Sequence, residues 1–134
     1  MRRLIDFAPG APGIPARWTS SAKSGVGTAL SPQSPVWFTL SHGILNEIYY
    51  PRVDSACTRD FGLLVTGPAG YFSEEKRDCI AMTTRQADGV PAFHVVNTAR
   101  DGRYSIEKDV VSDPARPCVL QRITFRPNSA CRHW

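Results

Sequence analysis

The stretch "CVLQRITF" (residues 118–125) has the clearest pattern in the chain. Its residues alternate between two sets, Val119, Gln121, Ile123 and Phe125 against Cys118, Leu120, Arg122 and Thr124. Alternation with a period of two gives an extended chain two different faces, as in a β-strand. The stretch therefore predicts a strand over 118–125.

Runs of the same character occur throughout the chain from residue 27 onward, and no window keeps a helical period for long. They predict strands at 36–41, 44–50, 61–66, 71–75, 79–86, 92–98 and 104–111. Turn signals such as "GPAG" (67–70) and "ARDG" (99–102) separate them. Many short strands between turns predict an all-β fold of antiparallel sheets, most simply a β-sandwich. In the run 44–50, Ile44, Asn46, Ile48 and Tyr50 are predicted to share one face, with Glu47 on the other.

The length of 134 residues suits one domain with its own core. Residues 1–26 are rich in Gly, Pro, Ala and Ser and predict an extended arm or surface loop. Residues 27–126 predict the sandwich, and residues 127–134 ("PNSACRHW") an irregular tail.

Composition argues against several classes of protein. The chain has no apolar run of the roughly 18 residues that a membrane span needs, and prolines interrupt its basic start before a signal peptide could form. We therefore expect a cytoplasmic protein without membrane contact, whose four cysteines are reduced. These cysteines, Cys57, Cys79, Cys118 and Cys131, form no CxxC pair, so no metal site is expected. The chain has neither a dinucleotide-binding fingerprint nor a Walker motif, so no cofactor is expected. The net charge of +4 comes from scattered Lys and Arg residues, which does not favour nucleic-acid binding.

The stretch "WFTLSHGILNEIYYPRVDSACTRDFGLLV" (37–65) concentrates polar and aromatic groups between predicted strands. Glu47, Asp54, Glu74 and Glu75 are carboxylates that could serve general acid–base chemistry, but spacing alone cannot place two of them across a bond. Residues 74–78 more simply predict a solvated charged turn, and His42 a hydrogen-bonded turn histidine. The aromatic residues Trp18, Trp37, Tyr49 and Tyr50 suit either packing between sheets or contact with a sugar.

Five blocks carry a resemblance to a known family: "RWTSSAKSGVGTA" (17–29), "FTLSHGILNEIYYPRVD" (38–54), "YFSEEKRD" (71–78), "GRYSIEKDVVSDP" (102–114) and "CVLQRITF" (118–125). In their order and spacing they resemble the amino-terminal domain of bacterial and archaeal glucoamylases, in glycoside hydrolase family fifteen. The resemblance covers about residues 8–126. It implies a large β-sandwich that precedes an (α/α)6 barrel, whose two glutamates release glucose from α-glucans with inversion.

Those glutamates have no counterparts here, so the resemblance implies no catalytic residue in this chain. It implies instead a domain that stops before the barrel and before its sandwich is complete, leaving unpaired edges and an uncovered apolar face. We expect Trp37, Tyr49, Tyr50, Arg52 and Asp54 to form a rim that contacts either the barrel or the substrate. Arg52 and Asp54 are expected to pair with one another or with the barrel. An alternative is a stand-alone module that binds α-glucan, or a structural one that associates with a separate catalytic barrel.

Overall fold

The computed structural model describes residues 19–128, in which β-strands dominate. The described elements are β1 (Gly25–Thr28), β2 (Trp37–Ser41), β3 (Ile44–Tyr49), β4 (Ala56–Phe61), β5 (Leu64–Gly67), β6 (Tyr71–Glu74), α1 (Glu75–Asp78), β7 (Cys79–Arg85), β8 (Phe93–Ala99), β9 (Tyr104–Ser112) and β10 (Val119–Pro127). All eight predicted strands are present, with ends shifted by up to three residues.

The strands form two antiparallel sheets and a hairpin. Sheet A has the order β1-β2-β3-β4, sheet B is the β5–β6 hairpin, and sheet C has the order β10-β9-β8-β7. Phe38 and Leu40 of sheet A pack against Phe93, Val95 and Val110 of sheet C. The predicted antiparallel β-sandwich is therefore confirmed.

The β5–β6 hairpin covers the other end of sheet C. Leu63, Val65 and Tyr71 pack there against a second buried cluster that includes Tyr104 and Ile106. Sheet C thus faces two separate layers, sheet A over one half and the hairpin over the other.

A two-residue turn connects β2 to β3. His42 and Gly43 both have positive φ, 51° and 76°, and Ser41 pairs with Ile44 on either side of them. This is the type I′ geometry, whose twist matches that of the flanking strands. The His42 ring nitrogen Nδ1 lies 2.6 Å from Ser41 Oγ, and this Oγ donates its hydrogen to the Ala22 carbonyl. Nδ1–H is therefore the donor to Ser41, and the prediction of a hydrogen-bonded turn histidine is confirmed.

The face assignment for residues 44–50 was wrong, because a bulge interrupts β3. Leu40 pairs with Leu45 and Thr39 with Glu47, which leaves Asn46 as the extra residue. Leu45 and Ile48 consequently both pack in the core, three positions apart. A bulge inverts the pattern of faces on one side of it, and simple alternation cannot show this.

Two strands were not predicted. β1 begins at Gly25, two residues before the predicted domain boundary, and β4 covers 56–61, so that Phe61 ends β4 instead of beginning the hairpin. At the other boundary, β10 continues to Pro127. Most of the predicted arm and tail, with Trp18 and Cys131, lies outside the described residues.

Candidate functional site

The five residues that the sequence singled out lie at one end of sheet A, and we call them the rim: Trp37, Tyr49, Tyr50, Arg52 and Asp54. Trp37, the first residue of β2, pairs with Tyr49, the last residue of β3. Tyr50, Arg52 and Asp54 follow in the connection to β4. The fold therefore brings the rim together because successive strand ends meet at one edge of the sandwich.

The connection between β3 and β4 is ordered by its own hydrogen bonds. The Tyr50 N–H donates to the Ser55 carbonyl at 3.1 Å, and the Ser55 N–H donates to the Arg52 carbonyl at 3.0 Å. Arg52 Nη2 lies 2.7 Å from Asp54 Oδ2, so the two residues pair with each other. Both are exposed, and Tyr50 remains 44% accessible. The loop thus presents an aromatic ring and an ion pair to its surroundings.

Glu47 links the rim to the outward face of sheet A. Its carboxylate accepts hydrogen bonds from Lys23 Nζ at 2.8 Å, from Thr39 Oγ1 at 3.0 Å and from Thr19 Oγ1. Burial alone would raise the pKa of Glu47, but the hydrogen bonds from Lys23, Thr19 and Tyr49 lower it to about 2. Burial and the hydrogen bond to Glu47 also raise the pKa of Tyr49. Glu47 is therefore an ionised group that ties segment 19–24 to the sheet.

The same network continues toward α1 through Asn46. Lys23 donates to the amide oxygen of Asn46, whose Nδ2 donates to Asp60 Oδ1 at 2.8 Å. Lys76 Nζ lies 2.9 Å from Asp60 Oδ2. Burial alone would raise the pKa of Asp60, but the hydrogen bonds from Lys76 and Asn46 lower it. On this face, Glu47 is thus paired with Lys23 and Asp60 with Lys76.

The sequence suggested that Glu75 belongs to a solvated turn, but its side chain is fully buried. Its Oε1 lies 2.5 Å from Lys108 Nζ, and the two side chains are 0% and 1% exposed. Glu75 Oε2 accepts the Leu63 N–H at 2.9 Å, and Asn97 Nδ2 donates to Oε1 at 2.5 Å. Every oxygen of this carboxylate is engaged, because a buried charge must be paired.

Lys108 and Asn97 extend this buried cluster to the β2–β3 turn. Lys108 Nζ and Asn97 Nδ2 both donate to the Gly43 carbonyl, at 3.2 Å and 2.8 Å. Burial lowers the pKa of Lys108, while Glu75 acts against that shift. The nearby thiol of Cys79 is buried too, which raises its pKa and leaves it unreactive. The cluster is therefore a structural clamp, which we call the buried clamp: Gly43, Leu63, Glu75, Asn97 and Lys108.

Sequence reasoning missed the buried clamp, although one signal was available. In β9 the inward-facing residues are Tyr104, Ile106, Lys108 and Val110, all of them buried. A lysine at an apolar position of a strand predicts a buried charge, and hence an acidic partner. That partner is Glu75, which lies in the charged run 74–78, and this run suggested only a surface turn.

The candidate carboxylates are not arranged for acid–base catalysis. A general acid at neutral pH needs a raised pKa, whereas that of Glu47 is lowered. Glu75 is enclosed, Asp54 is paired with Arg52 in solvent, and Glu74 is paired with Arg77 at 3.1 Å. Among residues 19–128, no three side chains of His, Cys, Asp or Glu are grouped to hold a metal ion. The three cysteines in this range are free.

No helix in residues 19–128 has the length and apolar character to traverse a bilayer.

Comparison with known proteins agrees with the fold. Residues 8–133 match the family model of glucodextranase, domain N, so the match continues past residue 126, where the resemblance was expected to end. A glucoamylase from Clostridium sp. (strain G0005) is 36% identical over 114 residues, which are 85% of this chain and 16% of that protein.

A solved structure, the crystal structure of bacterial glucoamylase complexed with acarbose, superposes with a TM-score of 0.83 at 34% identity. The superposition covers 94% of this chain and 19% of that one. The chain therefore spans less than a fifth of the length of either relative. We conclude that it belongs to the glucodextranase domain N family and has the β-sandwich fold of the amino-terminal domain of bacterial glucoamylase.

Proposed function

We propose that the chain is the non-catalytic amino-terminal domain of a glucoamylase-type glycoside hydrolase, and that its rim packs against the catalytic barrel. The observation that carries this proposal is the rim itself: strand ends and local hydrogen bonds hold it in place, yet four of its five side chains remain exposed, and only Tyr49 is partly buried. A surface that is both ordered and exposed loses little entropy when a partner covers it.

The chemistry of the rim supports a protein contact. Trp, Tyr and Arg are the residue types most enriched at the energetic centres of interfaces. Trp37, Tyr50 and Arg52 supply all three within one edge of sheet A. Because the Arg52–Asp54 pair is neutral overall and solvated, a partner amide can join it without leaving a charge unpaired.

The absence of an acid–base pair in the described residues fits a supporting role. Hydrolysis of a glycosidic bond by this class requires one protonated and one ionised carboxyl group facing each other. The carboxylates of sheet A are ionised and bonded instead. We therefore assign the chemistry to the part of the enzyme that lies outside this match.

The experiment is reconstitution in two pieces. The 134-residue chain is mixed with the part of the Clostridium glucoamylase that lies outside its matched segment, and binding is followed by calorimetry and glucose release from maltooligosaccharides. We expect a complex that is more stable to heat than the isolated barrel. The double variant Tyr50→Ala, Arg52→Ala should weaken binding at least tenfold, whereas Met82→Ala, an exposed residue on β7, should not.

Two results would contradict the proposal. One is binding that the rim variant leaves unchanged, and the other is glucose release by the 134-residue chain alone at a rate typical of an enzyme.

A second function, binding of α-glucan, is favoured by one observation. Trp37 and Tyr49 are register partners on the outward face of sheet A, next to the polar side chains of Glu47 and Thr39. Aromatic faces flanked by hydrogen-bonding groups suit the C–H surface and hydroxyls of a sugar. Affinity electrophoresis in amylopectin separates the two functions, since only a glucan-binding surface retards the chain, and Trp37→Ala should abolish that retardation.

A further inference from the structure

We propose that a cleft between sheet A and β7 of sheet C binds a phosphate ester of a small sugar, with the phosphoryl group at one end and the hydroxyl groups at the other. The cleft has a volume of about 320 Å³, which is at the lower end of the range of roughly 300–1,000 Å³ for small-molecule sites. This inference does not depend on the proposed function, because the cleft lies at the turn of the β2–β3 hairpin and the rim lies at the other end of that hairpin.

The polar groups of the cleft come from five separate places in the chain. Ser24 precedes β1, His42 is in the β2–β3 turn, and Lys76 is in α1. Thr83 is on β7, and Arg100 follows β8. No acidic side chain lines the cleft. Every lining residue lies between positions 24 and 100, so the described part of the chain forms both walls by itself.

Lys76 and Arg100 form a cationic end of the cleft. Lys76 lies three residues before β7, and Arg100 follows the last residue of β8, which pairs with the first residue of β7. The backbone N–H of Arg100 donates to the Asp78 carbonyl at 2.8 Å, but the guanidinium group has no acidic partner within residues 19–128. The carboxylate of Asp78 instead accepts the Glu74 N–H at 2.6 Å. The main chain beside Arg100 is thus held in place while its guanidinium group stays available to a ligand.

The neighbouring acids do not cancel the positive charge of this end. Lys76 Nζ lies 2.9 Å from Asp60 Oδ2, and Arg59 Nε lies 3.7 Å from the same oxygen, so one carboxylate faces two cations. The buried carboxylate of Glu75 is neutralised by Lys108. Guanidinium and ammonium groups are strong charge-assisted donors to phosphoryl oxygens. The cationic end therefore suits a phosphoryl group.

The rest of the cleft offers partners for hydroxyl groups. Thr83 lies four residues beyond Cys79 on β7, roughly 13 Å along an extended chain, and its Oγ1 donates to Ser24 Oγ at 3.2 Å. Each hydroxyl oxygen of this pair can also accept a hydrogen from a ligand. The Nδ1–H of His42 is bonded to Ser41 Oγ, so Nε2 of the neutral ring is an acceptor for a ligand hydroxyl.

A sugar phosphate matches both parts of this cleft at once. Its phosphoryl oxygens meet Lys76 and Arg100, and its hydroxyl groups meet His42, Ser24 and Thr83. Inorganic phosphate would use only the cationic end, and a neutral sugar would use only the hydroxyl partners. We therefore expect the ester to bind more tightly than either of its halves.

The test is calorimetric titration of the 134-residue chain with glucose 6-phosphate, inorganic phosphate and glucose, at neutral pH and constant ionic strength. We expect glucose 6-phosphate to bind at least about tenfold more tightly than the other two. Arg100→Gln should weaken the binding of glucose 6-phosphate at least about tenfold, because it removes a charge-assisted hydrogen bond. The matched control Arg85→Gln removes the same charge from an exposed position of β7 outside this cleft, and it should leave the affinity nearly unchanged.

A second variant, His42→Asn, tests the hydroxyl partners. Asparagine tolerates the positive φ of this turn position, so the hairpin is kept, and circular dichroism checks that each variant is folded. His42→Asn should weaken the binding of glucose 6-phosphate and leave that of inorganic phosphate unchanged. The proposal is overturned if the chain binds none of the three ligands, or if glucose or inorganic phosphate binds as tightly as the ester. It is also overturned if Arg100→Gln and Arg85→Gln have equal effects, or if His42→Asn leaves the affinity for the ester unchanged.

Discussion

Replacing Lys108 by methionine should be among the most destabilising single changes in this domain. Methionine keeps most of the volume of the side chain but removes the ammonium group that lies 2.5 Å from Glu75 Oε1 and 3.2 Å from the Gly43 carbonyl. The carboxylate of Glu75, which is 0% exposed, then keeps its bonds to Leu63 and Asn97 but loses its counter-ion.

The magnitude follows from the burial of the pair. Removing one partner of a buried ion pair costs about 3–5 kcal/mol, because the other charge remains in a medium that solvates it poorly. The net stability of a domain is about 5–15 kcal/mol, so this loss is a large share of the total. The matched control is Arg122→Met on β10, which breaks a pair of the same charge type whose arginine is exposed. Exposed pairs contribute about 0–1 kcal/mol.

The assay is urea unfolding followed by far-ultraviolet circular dichroism, with the free energy of unfolding extrapolated to water. We expect a loss of at least about 3 kcal/mol for Lys108→Met and less than about 1 kcal/mol for Arg122→Met. Equal effects of the two substitutions would refute the reasoning.

Three further predictions address other features. Gly43→Ala should lower the stability to thermal unfolding by about 2–4 kcal/mol, because the added Cβ would lie 1.9 Å from Asn97 Oδ1 at a φ of +76°. Gly89→Ala, with φ +74° and no atom within 4 Å of the added Cβ, should lower it by only about 1–2 kcal/mol. The folded-state pKa of Glu47 is lowered from 4.5 to about 2, so the stabilisation that its ionised form contributes is present above pH 4.5 and is lost as pH falls toward 2. After allowance for solvent, this stabilisation amounts to about 1–2 kcal/mol. Glu47→Gln should lack this pH dependence in acid titrations of stability. Arg52→Ala should change the free energy of unfolding by less than about 1 kcal/mol, and a larger change would show that the solvated loop pair has a structural role.

Sheet C could be predicted because its strands alternate. β8, β9 and β10 each have two distinct faces, and one face of the inner strands β8 and β9 is buried. β4, "ACTRDF", is an edge strand with mostly exposed residues, so it has no apolar face to detect. β1, "GVGT", gives no strand signal because two of its four residues are glycines. They are needed there because a Cβ at Gly27 would lie 2.2 Å from the Phe38 ring, a contact that only the folded structure shows.

The role of the rim remains a prediction, but the proximity of its five residues could be expected from sequence, because they lie at the start of β2, at the end of β3 and in the connection that follows. The buried clamp could not, because its members come from five separate places in the chain. Burial of Glu75 depends on a lysine 33 positions away in sequence, and local composition around it suggests a solvated turn. Pairing between distant charges is a tertiary property that no local window shows.

The positions of the buried clamp and the rim suggest why a small domain keeps a buried ion pair. The β2–β3 hairpin has its turn at Gly43, which Lys108 and Asn97 hold against sheet C through the Gly43 carbonyl. The other end of the same hairpin carries Trp37 and Tyr49 of the rim. A hairpin held at its turn has little freedom to tilt over sheet C, so the buried clamp fixes the direction in which the rim faces. A purely apolar contact at the turn would stabilise the sandwich as well, but it would define that direction less strictly, because packing alone is less directional than hydrogen bonds to a fixed carbonyl.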